Sequence, residues 1–137
     1  MHQWARERFE KARVGRLATT TSTGRPHLVP VVFVLVRDVV WTAVDGKPKL
    51  TRSLRRLANI ESNPSVSVLV DHYEDDWSAL WWVRVDGDAM VVSVDAEDGR
   101  LGLSALAAKY PQYAAQAPPG PLIRIVVDNW TSWSSRD

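Results

Sequence analysis

The segment GRPHLVPVVFVLVRDVVWTAVDGKPK, residues 24–49, decides how this chain folds. From residue 27 to 36 it is dense in β-branched side chains, which suits a strand buried on both faces. Arg37-Asp38 is a tight connection into a strand over 39–44 that carries Trp41, and Asp45-Gly46-Lys47-Pro48 closes it with strong turn formers. Upstream, residues 15–21 form a Leu/Thr-rich stretch and Ser22-Thr23-Gly24-Arg25 a turn. The expectation is a hairpin followed by a third strand, three antiparallel strands in succession.

The period changes on either side. Residues 2–13 put Trp4, Ala5, Phe9 and Ala12 near one side of an amphipathic helix. Over 49–62, Leu50, Leu54, Leu57 and Ala58 share a helical face, and Asn63-Pro64 ends the pattern. Residues 65–71 alternate, with Val66, Val68 and Val70 on one face. Within 79–94, Asp86-Gly87 reads either as a type I′ hairpin turn or as a bulge in one long strand. Asp95 is an expected N-cap for a helix reaching about 109, weakened by Gly99 and Gly102. A proline-rich loop is expected over 110–121, then a strand over 122–127 and a tail with Trp130 and Trp133. The expected fold is mostly β with α: six to seven antiparallel strands and about three helices in a small barrel, one domain over 1–137.

Composition narrows the chemistry. A chain of 137 residues, 45% hydrophobic and 24% charged, has the profile of a globular domain rather than a disordered one. With no cysteine, disulfides, thiolate metal sites and cysteine nucleophiles are excluded. The longest apolar run, 28–36, contains Pro30 and is too short for a transmembrane helix. The first ten residues lack the apolar stretch of a signal peptide, so a cytoplasmic location is expected. Net charge is +1, so any anion site must be local. The seven tryptophans do not argue for nucleic acid, because several fall inside strands where burial removes them as stacking platforms.

The local charge sits in residues 47–56, where Lys47, Lys49, Arg52, Arg55 and Arg56 stand without a single acid. This is a strand-to-helix junction, where free N–H groups and the helix dipole favour anions, and Thr51 and Ser53 add hydroxyl donors. An arginine is suited to grip phosphate in bidentate fashion and a lysine to act as a point charge, so a cradle of Arg52 with Lys47 and Lys49 is expected. The same run also has the pattern of a solvated basic helix face. No Walker or dinucleotide glycine motif accompanies it. The acidic stretch 71–76 reads as a solvated loop, lacking calcium-loop spacing. His27 reads first as a structural histidine. No nucleophile elbow or His-Glu-x-x-His motif occurs, so a bound cofactor is the expected carrier of any reaction.

An ordered series of short stretches points further. Gly15-Arg16-Leu17-Ala18-Thr19, Gly24-Arg25-Pro26-His27-Leu28-Val29-Pro30-Val31, Ala43-Val44-Asp45-Gly46-Lys47-Pro48-Lys49 and Leu54-Arg55-Arg56-Leu57-Ala58-Asn59-Ile60 are followed by Asn63-Pro64-Ser65-Val66, Asp76-Trp77 and Trp81-Trp82-Val83-Arg84. The series resembles the pyridoxamine 5′-phosphate oxidase-like split β-barrel flavin/deazaflavin oxidoreductases, in particular their coenzyme F420-dependent branch, from about Gly15 to Trp133.

The resemblance implies an FMN-binding split barrel-like fold and a homodimer with cofactor in grooves between the subunits. It implies that Val29, Pro30 and Val31 pass the cofactor ring, and that Lys47, Lys49, Thr51, Arg52 and then Arg55 hold its phosphate, with Arg56 solvated. It favours Gly87 as a bulge in a continuous strand and treats Trp81, Trp82, Trp130 and Trp133 as core first. The implied activity is hydride transfer from coenzyme F420 to a small electron-poor organic substrate, with Tyr73 or solvent as proton source and no residue assigned as catalytic. FMN is the alternative cofactor, favoured less chiefly because of the family branch, and also because five cations suit the longer anion. A non-catalytic flavin or deazaflavin carrier or sensor is the alternative role.

Overall fold

The computed structural model describes residues 1–44 and 50–136, with residues 50–54 described in backbone only. In chain order the elements are α1 (Gln3–Lys11), β1 (Gly15–Thr20), β2 (Pro26–Val31), β3 (Val34–Val36), β4 (Val39–Ala43), α2 (Leu50–Ser62) and β5 (Ser65–His72). A 3₁₀ turn (Trp77–Ala79), β6 (Trp81–Val92), α3 (Glu97–Lys109), α4 (Pro111–Ala115) and β7 (Leu122–Ser134) complete the described chain. The strands form one antiparallel sheet in the order β2-β1-β5-β6-β7-β4-β3.

That order corrects the reading of residues 27–36. They are not one strand but two, broken at Val32-Phe33, and β2 and β3 are the opposite edges of the sheet. Because a residue spans roughly 3.3–3.6 Å, Val31 and Val34 lie within about 11 Å of each other, and the sheet must roll up until its edges nearly meet. The result is a curled half-barrel. Burial on both faces belongs to β4, where Val40 faces one core and Trp41 and Ala43 another. In β2 it is one-sided, and Leu28 is 66% exposed. Pro26, Leu28 and Pro30 share one side of β2, so the N–H groups that the prolines lack are those facing the open edge. This leaves the ladder to β1 intact and blunts the edge against strand addition.

The inward faces of the strands build the main core, with Leu17, Val66, Val68, Val70, Val83, Val85 and Ile125 buried, as the alternation in 65–71 predicts. Helix α1 plugs one end through Ala5 and Phe9. The Phe9 ring lies 4.9 Å from Phe33 and 5.4 Å, edge-on, from Trp130. Helix α2 packs through Ile60, while Ala58, expected inward, is exposed. Asn59 is buried in its place and donates to the buried Thr19 hydroxyl at 3.0 Å. A satisfied polar pair of this kind pins the helix to β1.

A second core forms outside the barrel, where α3 lays Leu106 and Tyr110 on Trp41, Val92 and Leu122. Gly102 makes this approach achievable: a Cβ there would sit 2.4 Å from the Trp41 ring. Helix propensity lost to the glycine is repaid in packing. The N-cap of α3 is Ala96 rather than Asp95, without a side-chain cap. Residues 111–115, expected as loop, form α4, so there are four α-helices among the described residues.

Strand β6 runs unbroken through Asp86-Gly87, as the resemblance implied. The pairing shifts there, with Asp86 opposite Asn129 and Gly87 opposite Val127, so the extra residue is Asp128 on β7. A Cβ on Gly87 would lie 2.2 Å from the Val126 carbonyl oxygen. The tail expected after 127 is the rest of β7, and Trp130 packs against the core. Among the described residues no helix is long and apolar enough to cross a membrane.

Candidate functional site

Where the sheet edges meet, the two residues between β2 and β3 are outside any strand ladder, and side chains satisfy their backbone. The Thr42 hydroxyl donates to the Val32 carbonyl at 2.7 Å. The Tyr110 hydroxyl accepts from the Phe33 N–H at 3.0 Å and shares its own proton between the carbonyls of Phe33, 2.9 Å away, and Arg13, 3.0 Å away. Three of the four backbone polar groups at this break, the Val32 carbonyl and both groups of Phe33, thus have side-chain partners that tie the crossover to β4 and to Tyr110. Burial pushes the Tyr110 hydroxyl above its usual range, against the opposing pull of the Phe33 backbone and the Arg13 charge.

A cavity of about 290 Å³ opens beside this crossover. Pro30, Val31 and Val32 form one wall, Thr42 and Ala43 of β4 another, and Val14, Arg56 and Tyr113 complete it. Val32 and Tyr113 also line an adjoining cavity of about 350 Å³ with Arg13, Tyr110 and Gln112. Together they make a two-lobed groove within the size range of small-molecule sites, about 300–1,000 Å³. Its lining is an apolar shelf with cationic and phenolic groups at the margin.

Lys109 underlies the second lobe. Its ammonium lies 4.2 Å from the centre of the Phe33 ring and donates to the Ala12 carbonyl at 2.7 Å. Arg13 in turn donates to the Lys109 carbonyl at 3.1 Å. Burial first, and the neighbouring Arg13 charge second, lower the Lys109 pKa to about 8, against a smaller opposing effect of Glu10.

The expected site residues are distributed as follows. Pro30 and Val31 line the first lobe, whereas Val29 packs on the main core. Lys47 and Lys49, and the side chains of Thr51 and Arg52, lie outside the described residues. Arg55 is exposed and lines a different cavity, and its neighbour Arg56, expected to be solvated, lines the first lobe. Tyr73 is 61% exposed and lines neither lobe. The acidic loop has a local structural task, since the Asp76 carboxylate accepts from the N–H and hydroxyl of Ser78 and is held below the usual carboxylate range by those bonds. Sequence reasoning missed Thr42, Arg13, Tyr110 and Tyr113. The last two come from the stretch expected to be loop, and their aromatic character was the available signal.

The groove residues have a recognisable chemical character. No lining residue of either lobe is a serine, histidine or carboxylate, so the described walls contain no nucleophile and base pair. They offer a flat apolar surface next to a fixed guanidinium, which fits a planar heterocycle bearing an anionic substituent.

Comparisons with known proteins agree on the architecture. The profile of the family described as pyridoxamine 5′-phosphate oxidase matches residues 1–134. No curated protein gives a significant match. Among solved structures, a conserved hypothetical protein from Mycobacterium tuberculosis superposes with a TM-score of 0.77 at 21% identity, covering 99% of this chain and 86% of that one. The heme storage protein HutZ from Vibrio cholerae gives 0.73 at 19% identity, covering 96% and 93%. An FAD-binding protein from Mesorhizobium loti gives 0.71 at 21%, covering 96% and 94%. These likenesses speak to the shared split barrel, and with the profile spanning nearly the whole length, the chain belongs to the pyridoxamine 5′-phosphate oxidase family.

Proposed function

We propose that this protein is an oxidoreductase that binds a flavin-type coenzyme in the two-lobed groove and transfers hydride to a small electron-poor organic substrate. Coenzyme F420 is the proposed coenzyme and FMN the alternative. The observation that carries the reading is the groove wall: an apolar shelf from Pro30, Val31, Val32 and Ala43, flanked by Arg56, with no nucleophile and base pair among the described lining residues. Such a wall binds and orients a cofactor that brings its own reactivity.

When bound, the tricyclic coenzyme supplies the hydride chemistry. The chain's residues hold and shield it. The apolar walls exclude water, and the crossover fastened by Thr42 and Tyr110 keeps Val31 and Val32 in place. Rate then comes from the orientation of two rings held in contact. Arg56 is a described cation positioned for an acidic substituent, and Lys47, Lys49, Thr51 and Arg52 are proposed to extend that anion grip, whereas Arg55 lines a separate cavity. Tyr113, which lines both lobes, is the phenol proposed to face the substrate. A homodimer is proposed as the working unit, with a partner subunit covering the open side of the groove along β2, where Leu28 is exposed.

The test is titration of the purified protein with coenzyme F420 and with FMN, following quenching of tryptophan fluorescence, and sedimentation for the dimer. Saturable binding of the deazaflavin tighter than FMN supports the proposal. Tighter FMN binding selects the alternative, and no binding of either overturns the function. Turnover of the reduced coenzyme with electron-poor acceptors distinguishes an enzyme from a carrier.

A further inference from the structure

A larger cavity lies at the opposite end of β2. It has a volume of about 510 Å³ and sits between the β1–β2 turn and the second half of α2. Arg25 projects from the turn, Arg55 from the helix, and His27 from β2, while Ser22, Asn59 and Ser62 contribute polar groups. None of its described lining residues is a carboxylate. Among the described residues neither the Arg25 nor the Arg55 guanidinium has a hydrogen-bond or ion-pair partner, so both are available to a ligand. The turn carrying Arg25 is braced: its N–H donates to the Thr21 hydroxyl at 2.9 Å, and its carbonyl accepts from the Thr21 N–H at 2.9 Å.

His27 gives an independent indication. Its Nδ1 is buried and has no hydrogen-bond partner. A buried polar atom left unpaired is costly, and polar walls with such an atom usually complete their bonding with a ligand or water. Two unpaired guanidiniums and nearby hydroxyls form a donor set with excess positive charge, beside an imidazole nitrogen that lacks a partner. That set matches an oxyanion, because guanidinium recognises carboxylate or phosphate through two parallel N–H bonds.

We infer that the cavity bounded by Arg25, His27 and Arg55 is a second anion site, taking a carboxylate or phosphate group. It is separate from the groove of the proposed function and does not depend on that function. From Pro26 to Pro30 the strand advances about 13 Å. Arg55 and Arg56, adjacent on α2, serve the two cavities. The anion therefore comes from one of two sources: the distal acidic end of a long molecule seated in the groove, or a separate small anion.

The experiment titrates inorganic phosphate into the full chain by calorimetry, with the His27 imidazole followed by ¹H–¹⁵N correlation spectra. Saturable binding that shifts His27, and that weakens at least tenfold in the Arg25→Gln/Arg55→Gln double variant, is the expected result. Both arginines are exposed, and far-UV circular dichroism verifies that the double variant folds. Lys11→Gln, an exposed cation elsewhere, should leave binding unchanged. His27→Asn, which keeps a donor near Nδ1, should bind more tightly than His27→Leu. Unsaturable binding, or equal affinity in wild type and double variant, overturns the site. Repeating the titration with saturating FMN or coenzyme F420 identifies the source: displacement of phosphate assigns the site to the coenzyme's acidic end, and simultaneous binding to a separate anion. Phosphate binding without binding of either coenzyme would refute the proposed function and leave this site standing.

Discussion

Lys109 should make the stability of this protein rise with pH across the mildly alkaline range, an unusual direction for a lysine. In the folded chain its ammonium is half-buried against Phe33 and faces Arg13, and its pKa falls from 10.5 to about 8. The folded state therefore releases the proton earlier than the unfolded state. Between about pH 8 and 10.5 the unfolded chain binds more protons, so unfolding free energy increases with pH. An undiscounted shift corresponds to a gain of about 1.8 kcal/mol between about pH 7.5 and 9.5, and partial solvent access lowers this to about 1 kcal/mol. For a chain of this length that is a rise of about 3–5 °C in melting temperature. The window closes near pH 10, because the raised Tyr110 pKa acts oppositely: the unfolded tyrosine ionises first, and stability then falls. Urea unfolding at closely spaced pH values, for wild type and Lys109→Met, measures the effect. Wild-type stability should climb while the variant stays flatter by that amount. If both show the same slope, the ammonium is not held in a disfavoured charged state and the argument fails.

Three further outcomes follow from the contacts. Tyr110→Phe removes the hydroxyl that satisfies Phe33 and should destabilise the fold by about 1–3 kcal/mol in urea, because the buried N–H is left unpaired. Gly102→Val drives a side chain into the Trp41 ring; it should cost at least about 1–3 kcal/mol and alter the near-ultraviolet tryptophan signal, whereas wild-type stability would discount the α3 packing. Arg56→Gln should weaken coenzyme binding by about 1.5–3 kcal/mol in fluorescence titration, and equal affinity would remove it from the anion grip.

Much of the local structure was readable from residue order. The alternation of Val66, Val68 and Val70 and the amphipathic face of α1 each declare which side is buried, since side-chain direction follows directly from strand and helix period. The break at Val32-Phe33 was not readable, because apolar residues continue through it without a turn former. What ends the strand is the Tyr110 hydroxyl, 77 positions away in the chain. Arg56 shows the same limit at the candidate site: its neighbour Arg55 carries the same charge, and only the seating of α2, held by Asn59 on Thr19, sends the two arginines to different cavities.

Residue order alone declared most element types and inward faces and the concentration of positive charge near the start of α2, but neither α4 nor the exposure of Ala58. The tertiary structure decided that β2 and β3 are opposite edges brought together, and that a groove forms where they meet. Periodicity records which side of an element avoids water, a property of neighbouring residues. Closure of a sheet depends on pairings between distant segments, and those are settled only when the whole core packs at once.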